Sequence, residues 1–238
     1  MQETDQPNTN RAFSSKTTGV LAHLDVRVVV FSLRDDSLQV LLSSAQEAAN
    51  QPWELPGSPI PSGQSLEETA TRCLLNVTGL REGYLEQLYT YGDVERSGSG
   101  ERLVSVVYFA IVPGKAIPSH IDKDDGHTRW FPMDGLPPIT GDHDEIIEYA
   151  LRRLRYKLEY TAVGFQLLPE QFSLSELQKT YEMILGEALD KRNFRRRILQ
   201  AGIIEETPHR RAGEGRPARL YRYRPDAVAE IKARRLFP

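Results

Sequence analysis

The chain has 238 residues, 39% hydrophobic and 26% charged, with 30 basic and 33 acidic side chains for a net charge of −3; this is the profile of a soluble protein of one large or two small domains. Its single cysteine excludes an intrachain disulfide and a zinc finger and suits a reducing, cytoplasmic setting. No apolar run reaches the roughly 18 residues of a membrane-crossing helix, and the polar start MQETDQPNTN lacks the apolar centre of a secretion signal.

Residues 1–18 read as a disordered tail, followed by one unit over 19–160 and a second over 161–238. Val20–Leu33 contains VRVVVFSL, a β-branched run long enough for a buried strand. Leu38–Leu42 follows a turn at Asp35-Asp36, giving a hairpin. Ala45–Pro52 is a polar loop, and Trp53–Leu55 leads into LPGSPIPSGQSLEETATRCLLNVTGL at Leu55–Leu80. There Ser65 is a helix N-cap, Glu67 and Glu68 favour the first-turn dipole, the helix runs to about Asn76, and Gly79 is its C-cap. Leu85–Tyr91 and Leu103–Val112 read as strands around the loop Asp93–Glu101, and Arg129–Met133 as another short strand. Asp142–Tyr160 is amphipathic, with Ile146, Ile147, Ala150, Leu151, Leu154 and Leu158 at helical spacing. It is the helix that closes the first unit, with a linking or dimerising role as the alternative. Thr161–Pro169 is the expected boundary.

The segment Leu55–Leu80 resembles the Nudix box of enzymes that cleave nucleoside diphosphates linked to another group. Leu55, Pro56, Gly57, Gly63, Ser65, Arg72, Thr78, Gly79 and Leu80 fall in register with it. The family's metal-binding glutamates do not: their positions hold Gln64, Cys73, Asn76 and Val77. Mg²⁺ takes oxygen ligands, and a thiol, an amide and an isopropyl group cannot replace three carboxylates on one helix face. Glu67 and Glu68 remain as a solvated helix face or, less simply, a rearranged metal site. His127, His143 and His209 are isolated in the chain, and no metal site or cofactor is expected. The resemblance implies an α/β/α sandwich with a mixed sheet and a pocket between the box loop and the sheet. Gly57 and Ser58 would offer backbone N–H groups to a pyrophosphate. Arg72 would pair with phosphate or serve as a structural ion pair, Trp53 would stack on an adenine or sit in the core, and Arg102 is a further candidate.

The second half follows a different pattern. Residues 1–160 hold 15 basic and 23 acidic side chains (−8), and residues 161–238 hold 15 and 10 (+5), the asymmetry of a nucleic-acid-binding unit joined to an acidic one, or chance clustering of solvated charge. Ser173 with Glu176 is a capping box for a helix ended by Gly186. Asp190 caps KRNFRRRILQA, ended by Gly202. Ile203–Glu206 and Leu220–Tyr223 are short strand signals joined by the basic loop Pro208–Arg219. Helix, helix and two-stranded wing describe a winged helix-turn-helix. On the second helix Phe194, Ile198 and Leu199 are expected on the inner face. Arg192, Asn193 and Arg196 are assigned to bases, Lys191 and Arg195 to phosphates, and the wing's Arg210, Arg211, Arg216 and Arg219 to phosphates or the minor groove.

A Nudix domain followed by LDKRNFRRRILQAGIIEET and GRPARLYRY resembles the Nudix-related transcriptional regulators, the NrtR family. This implies a homodimeric repressor that binds double-stranded DNA at a palindromic operator. Its expected effector is ADP-ribose or a related nucleotide, its pathway NAD-related metabolism, and it is not an enzyme. The alternatives are an active pyrophosphatase with displaced ligands, or a regulator of sugar catabolism that senses a sugar phosphate.

Overall fold

In the computed structural model, the described residues are 22–44, 52–81, 83–94, 96, 102–118, 127–160, 162–212, 217–224 and 226. The expected tail at 1–18, the loop at 45–51 and Arg216 lie outside them. Strand β1 (Ala22–Arg34) is the central strand of the first half. It pairs in parallel with β5 (Arg102–Ile111) and antiparallel with β2 (Ser37–Ser43). Strands β4 (Tyr84–Tyr91) and β6 (Thr128–Pro132) form the edges, in the order β4-β5-β1-β2-β6. Asp35 and Asp36 both have positive φ, 46° and 58°, the two-residue turn that matches strand twist in a tight hairpin.

Side-chain alternation assigns the two faces of the sheet. Val26, Val28 and Val30 of β1 with Val106, Tyr108 and Ala110 of β5 face helix α1 (Leu66–Thr78), which contributes Ala70, Cys73 and Leu74. Val29, Phe31, Val107, Phe109 and Ile111 face the other way, onto α2 (His143–Tyr160). The result is the expected sandwich around a mixed sheet. Helix α1 carries a full capping box: Glu68 N–H donates to Ser65 Oγ at 3.1 Å and Ser65 N–H to Glu68 Oε2 at 2.8 Å. Gly79 closes it with φ 71°. One strand was not foreseen: β3 (Gly57–Pro59) lies inside the box loop and pairs antiparallel with Asp25–Arg27.

The expected boundary is not a slack linker. Ala162–Leu167 forms a 3-10 turn with Val163, Phe165 and Leu167 buried. At Gly164 a Cβ would lie 2.9 Å from Leu158 Cδ2 and 3.1 Å from Tyr181 Cε2. Glycine there permits the close approach of α2 and α3 (Leu174–Leu185). The same apolar cluster runs from Phe31 and Ile147 through Leu158 and Phe165 to Tyr181, Phe194, Ile198 and Tyr221. One core therefore serves both halves.

In the second half, α3 starts on the Ser173–Glu176 capping box and ends at Gly186, φ 77°. Helix α4 (Lys191–Gln200) is capped by Asp190, whose carboxylate accepts from Asn193 N–H at 2.7 Å. Strands β7 (Ile204–Arg211) and β8 (Ala218–Tyr223) form the wing and are longer than expected. A register shift between Glu206 and Arg210 lets pairing resume at Arg210 opposite Arg219. Phe172 adds a bridge to Tyr221, with N–H to O distances of 3.0 and 2.8 Å. Phe194 and Ile198 are buried as expected, but Leu199 is 50% exposed: one residue beyond Ile198, it turns about 100° away from the buried stripe. Among the described residues no helix is long and apolar enough to cross a membrane.

Leu154 is fully buried in the shared cluster, so Leu154→Ala is expected to cost about 2–5 kcal/mol in urea unfolding. Both tryptophans, Trp53 and Trp130, lie in the first half. Their fluorescence and the helical circular dichroism are expected to change in one coincident transition; two separate midpoints would show that the halves do not share a core.

Candidate ligand pocket and nucleic-acid interface

Arg27 organises the start of the box. Its Nε donates to Asp25 Oδ2 at 2.7 Å, and its Nη1 to Glu54 Oε2 at 3.0 Å and to the Leu55 carbonyl at 2.9 Å. Burial opposes its charge, but Asp25 and Glu54 outweigh that and raise its pKa above the ordinary value. A Cβ on Gly57 would lie 2.4 Å from Arg27 Cδ, so glycine leaves room for this side chain to pass beneath β3. From the opposite side His143, at the start of α2, accepts the Leu55 N–H on Nδ1 at 3.2 Å. Burial first, and Arg27 second, hold its imidazole below the ordinary 6.5, against the pull of Glu54 and Asp142. Asp142 is itself bound by Nε and Nη2 of Arg96, at 2.6 and 2.9 Å, and Arg96 Nη1 donates to Ser105 Oγ at 2.9 Å and the Tyr91 carbonyl at 3.2 Å. Arg27 with Glu54, Arg96 with Asp142 and Leu55 with His143 are far apart in the chain, and none of these pairings was foreseen from it.

The five expected ligand residues are spread over the sandwich. Trp53 is half-buried against the α2-side cluster, edge-on to Phe131 at 4.9 Å, with the Arg129 guanidinium 5.6 Å from its ring centre. Gly57 is exposed in β3, while Ser58, opposite Val26 in the strand pair, donates its hydroxyl to the Pro59 carbonyl. Arg102 opens β5, opposite Ala22. Arg72 lies on α1, across the sheet from Trp53, and lines an open groove of about 530 Å³ with Ser65, Glu67, Glu68, Thr71, Leu75 and Arg81. That groove takes in none of the other four.

Cys73 is 4% exposed, and burial pushes its thiol up to about 11 despite Arg27 and Arg72 nearby; it is a neutral thiol at pH 7 and a poor metal ligand. Val77 packs on the α1-side cluster and Asn76 is exposed. The Ser65 N–H and hydroxyl hold Glu68 below the usual carboxylate range, and its carboxylate is committed to the cap. Among the described residues no group of three or more His, Cys, Asp or Glu side chains could hold a metal ion.

The second half offers a basic surface on the first turns of α4, where Lys191, Arg192, Asn193 and Arg196 are exposed. Arg196 donates to Asn193 Oδ1. Arg195 turns back instead, is half-buried and donates to Ser175 Oγ at 3.2 Å. Much of the wing's charge is matched internally. Arg219 pairs with Glu206 at 3.1 Å, Arg222 with Glu205, and Arg211 with Glu176 and the Gln171 carbonyl. Arg210 is exposed.

The NUDIX domain model matches residues 23–150, and the model of the NrtR DNA-binding winged helix domain matches residues 164–223. The ADPR responsive transcriptional repressor NtrR of Acinetobacter baylyi is 36% identical over 208 residues, covering 84% of this chain and 81% of its own. Shewanella oneidensis NrtR complexed with a 27mer DNA superposes with a TM-score of 0.76 at 35% identity, covering 90% of this chain and 99% of that one. The same NrtR without DNA gives 0.73 at 34% identity, covering 90% and 97%.

His143 is kept neutral in the fold and titrates near 6.5 when unfolded. Its lowered pKa means the unfolded chain binds the proton first, so this contribution is fully present above pH 6.5 and is lost as pH falls towards the folded value. Melting temperature is expected to drop over that window in the wild type, with a smaller drop in His143→Gln. Parallel profiles would remove His143 as the cause.

Proposed function

The chain belongs to the NrtR family, a Nudix domain joined to a winged-helix DNA-binding domain, and from that premise we propose that it is an ADP-ribose-responsive transcriptional repressor. The observation that carries the reading is the exposed basic start of α4, presented by a winged helix packed on the Nudix core. Such a helix enters the major groove with its N-terminal residues towards base edges. Arg192, Asn193 and Arg196 are assigned to bases, Lys191 and Arg210 to phosphates, and Arg195 to holding α4 against α3. Arg216 is assigned to the backbone of the DNA from its place in the basic loop. Two copies bind paired half-sites as a homodimer.

The Nudix half acts as the sensor and not as a pyrophosphatase. Support comes from Cys73, buried and neutral, from Val77 in an apolar cluster and from Glu68 bound into its cap. Cleavage assisted by Mg²⁺ needs carboxylate oxygens on that helix face. Trp53, Gly57, Ser58 and Arg102 are proposed to contact the nucleotide. Arg72, on its separate groove, is proposed as a structural cation of the box. ADP-ribose changes DNA affinity by binding one arrangement of the two halves better than the other.

A DNA selected by the protein from a random-sequence pool, titrated by fluorescence anisotropy with and without ADP-ribose, tests this. Affinity is expected to change by roughly 5- to 150-fold, and equal affinities would exclude sensing. Incubation with ADP-ribose and Mg²⁺ is expected to release no AMP; release at enzymatic rates would make the protein a hydrolase. Lys191→Ala and Arg192→Ala are each expected to weaken binding, and Lys191→Ala to flatten the slope of log affinity against log salt by about 1.

A further inference from the structure

Helix α2 connects the box to the winged helix. At its start His143 accepts the Leu55 N–H, and Asp142 just before it is held by Arg96. Some 18 Å along the helix, Arg155 is half-buried, and its Nε donates to the Ile184 carbonyl at 2.9 Å. Ile184 lies in the last turn of α3, where carbonyls lack partners within the helix and the dipole favours a cation. Two residues on, a Cβ at Gly186 would lie 3.3 Å from Arg155 Nη2, so the guanidinium rests against the turn leading to α4. From the α3 side Gln178 Nε2 donates to the Leu189 carbonyl at 2.9 Å, and Leu189 N–H donates to Glu182 Oε1 at 2.9 Å. Leu189 immediately precedes Asp190, the cap of α4. Arg155 therefore reaches, from the Nudix half, the segment that aims the recognition helix.

Other contacts between the halves differ in kind. Lys179 pairs with Asp36, but their side chains are 53% and 78% exposed, where an ion pair adds little. The close apolar packing of Leu158, Gly164 and Tyr181 holds the halves together and resists sliding, but it makes no bond to the segment just before α4. A half-buried, charge-assisted hydrogen bond to a helix terminus is directional. We infer that Arg155 is the positioning residue through which the Nudix half sets the placement of the α3–α4 turn, and that coupling between effector and DNA depends on it. This rests on the sensing function proposed above.

The test compares wild type, Arg155→Ala and Arg155→Lys on the selected DNA with and without ADP-ribose, with calorimetry of ADP-ribose binding and a thermal melt for each. In Arg155→Ala the ratio of DNA affinities with and without ADP-ribose falls towards one while ADP-ribose still binds. Arg155→Lys, which keeps a cation and a donor at the Ile184 carbonyl, regains part of the ratio. A merely structural cap would lower the melting temperature and leave the ratio unchanged, which overturns the inference. Should Arg155→Ala not fold, Arg155→Gln, which keeps most of the side-chain packing, carries the same comparison. A wild type indifferent to ADP-ribose overturns the sensing function and this inference together. A responsive wild type beside an equally responsive Arg155 variant overturns this inference alone.

Discussion

The apolar stripe of α2 is the constraint on which the structure depends. Ile146, Ile147, Ala150, Leu154 and Leu158 have no exposed surface. They seal the β1–β5 face of the sheet and begin the packing that continues into the winged helix. A surface shared in this way cannot slide without opening voids, because protein interiors pack as densely as crystals. Any change begun in the Nudix half must therefore appear as a discrete repacking at the joint formed by Gly164, Leu158 and Tyr181. The 3-10 turn at Ala162–Leu167 contributes three buried apolar side chains to that joint, Val163, Phe165 and Leu167.

Beside this apolar frame, Arg27 sets the polar geometry of the box. Here a guanidinium meets Asp25, Glu54 and a backbone carbonyl within 3.0 Å, so the acidic groups near the loop already have their counter-ion. Arg27 also accounts for Gly57, whose lack of a side chain is needed for clearance above the arginine. The motif glycine thus has a structural reason here, the arginine beneath it.

What could be read from the chain was local. Capping boxes at Ser65 and Ser173, the caps at Gly79, Gly186 and Asp190, and the stripe of α2 each express a rule that acts within about two turns, and the structure follows them. What could not be read was non-local or too short to leave a pattern. Strand β3 has three residues, one of them proline, and exists because β1 offers it an edge. The bond from Leu55 to His143 spans 88 positions, so an isolated histidine gave no hint of it. Arg195 looked like its neighbours in a run of arginines, yet Ser175, 20 positions earlier, draws it away from the exposed face. The candidate ligand residues were chosen by likeness to a motif, and likeness did not disclose that Trp53 and Arg72 lie across the sheet from each other.

The wing's matched charges bear on how the protein searches a genome. Arg211, Arg219 and Arg222 each hold a carboxylate of their own chain. If the wing meets DNA, such an arginine exchanges one anion for another, and because these pairs are largely exposed the exchange trims the gain on touching arbitrary DNA only modestly. On the proposed reading, Lys191 and Arg192 on the first turn of α4 give up no such partner among the described residues and gain where the helix is seated in a groove. Adhesion to irrelevant sequence would thereby be trimmed slightly, while the contacts made by the seated helix would keep their strength. On the proposed reading, such self-neutralised arginines would nudge the gap between the right site and all others without one additional contact to a base.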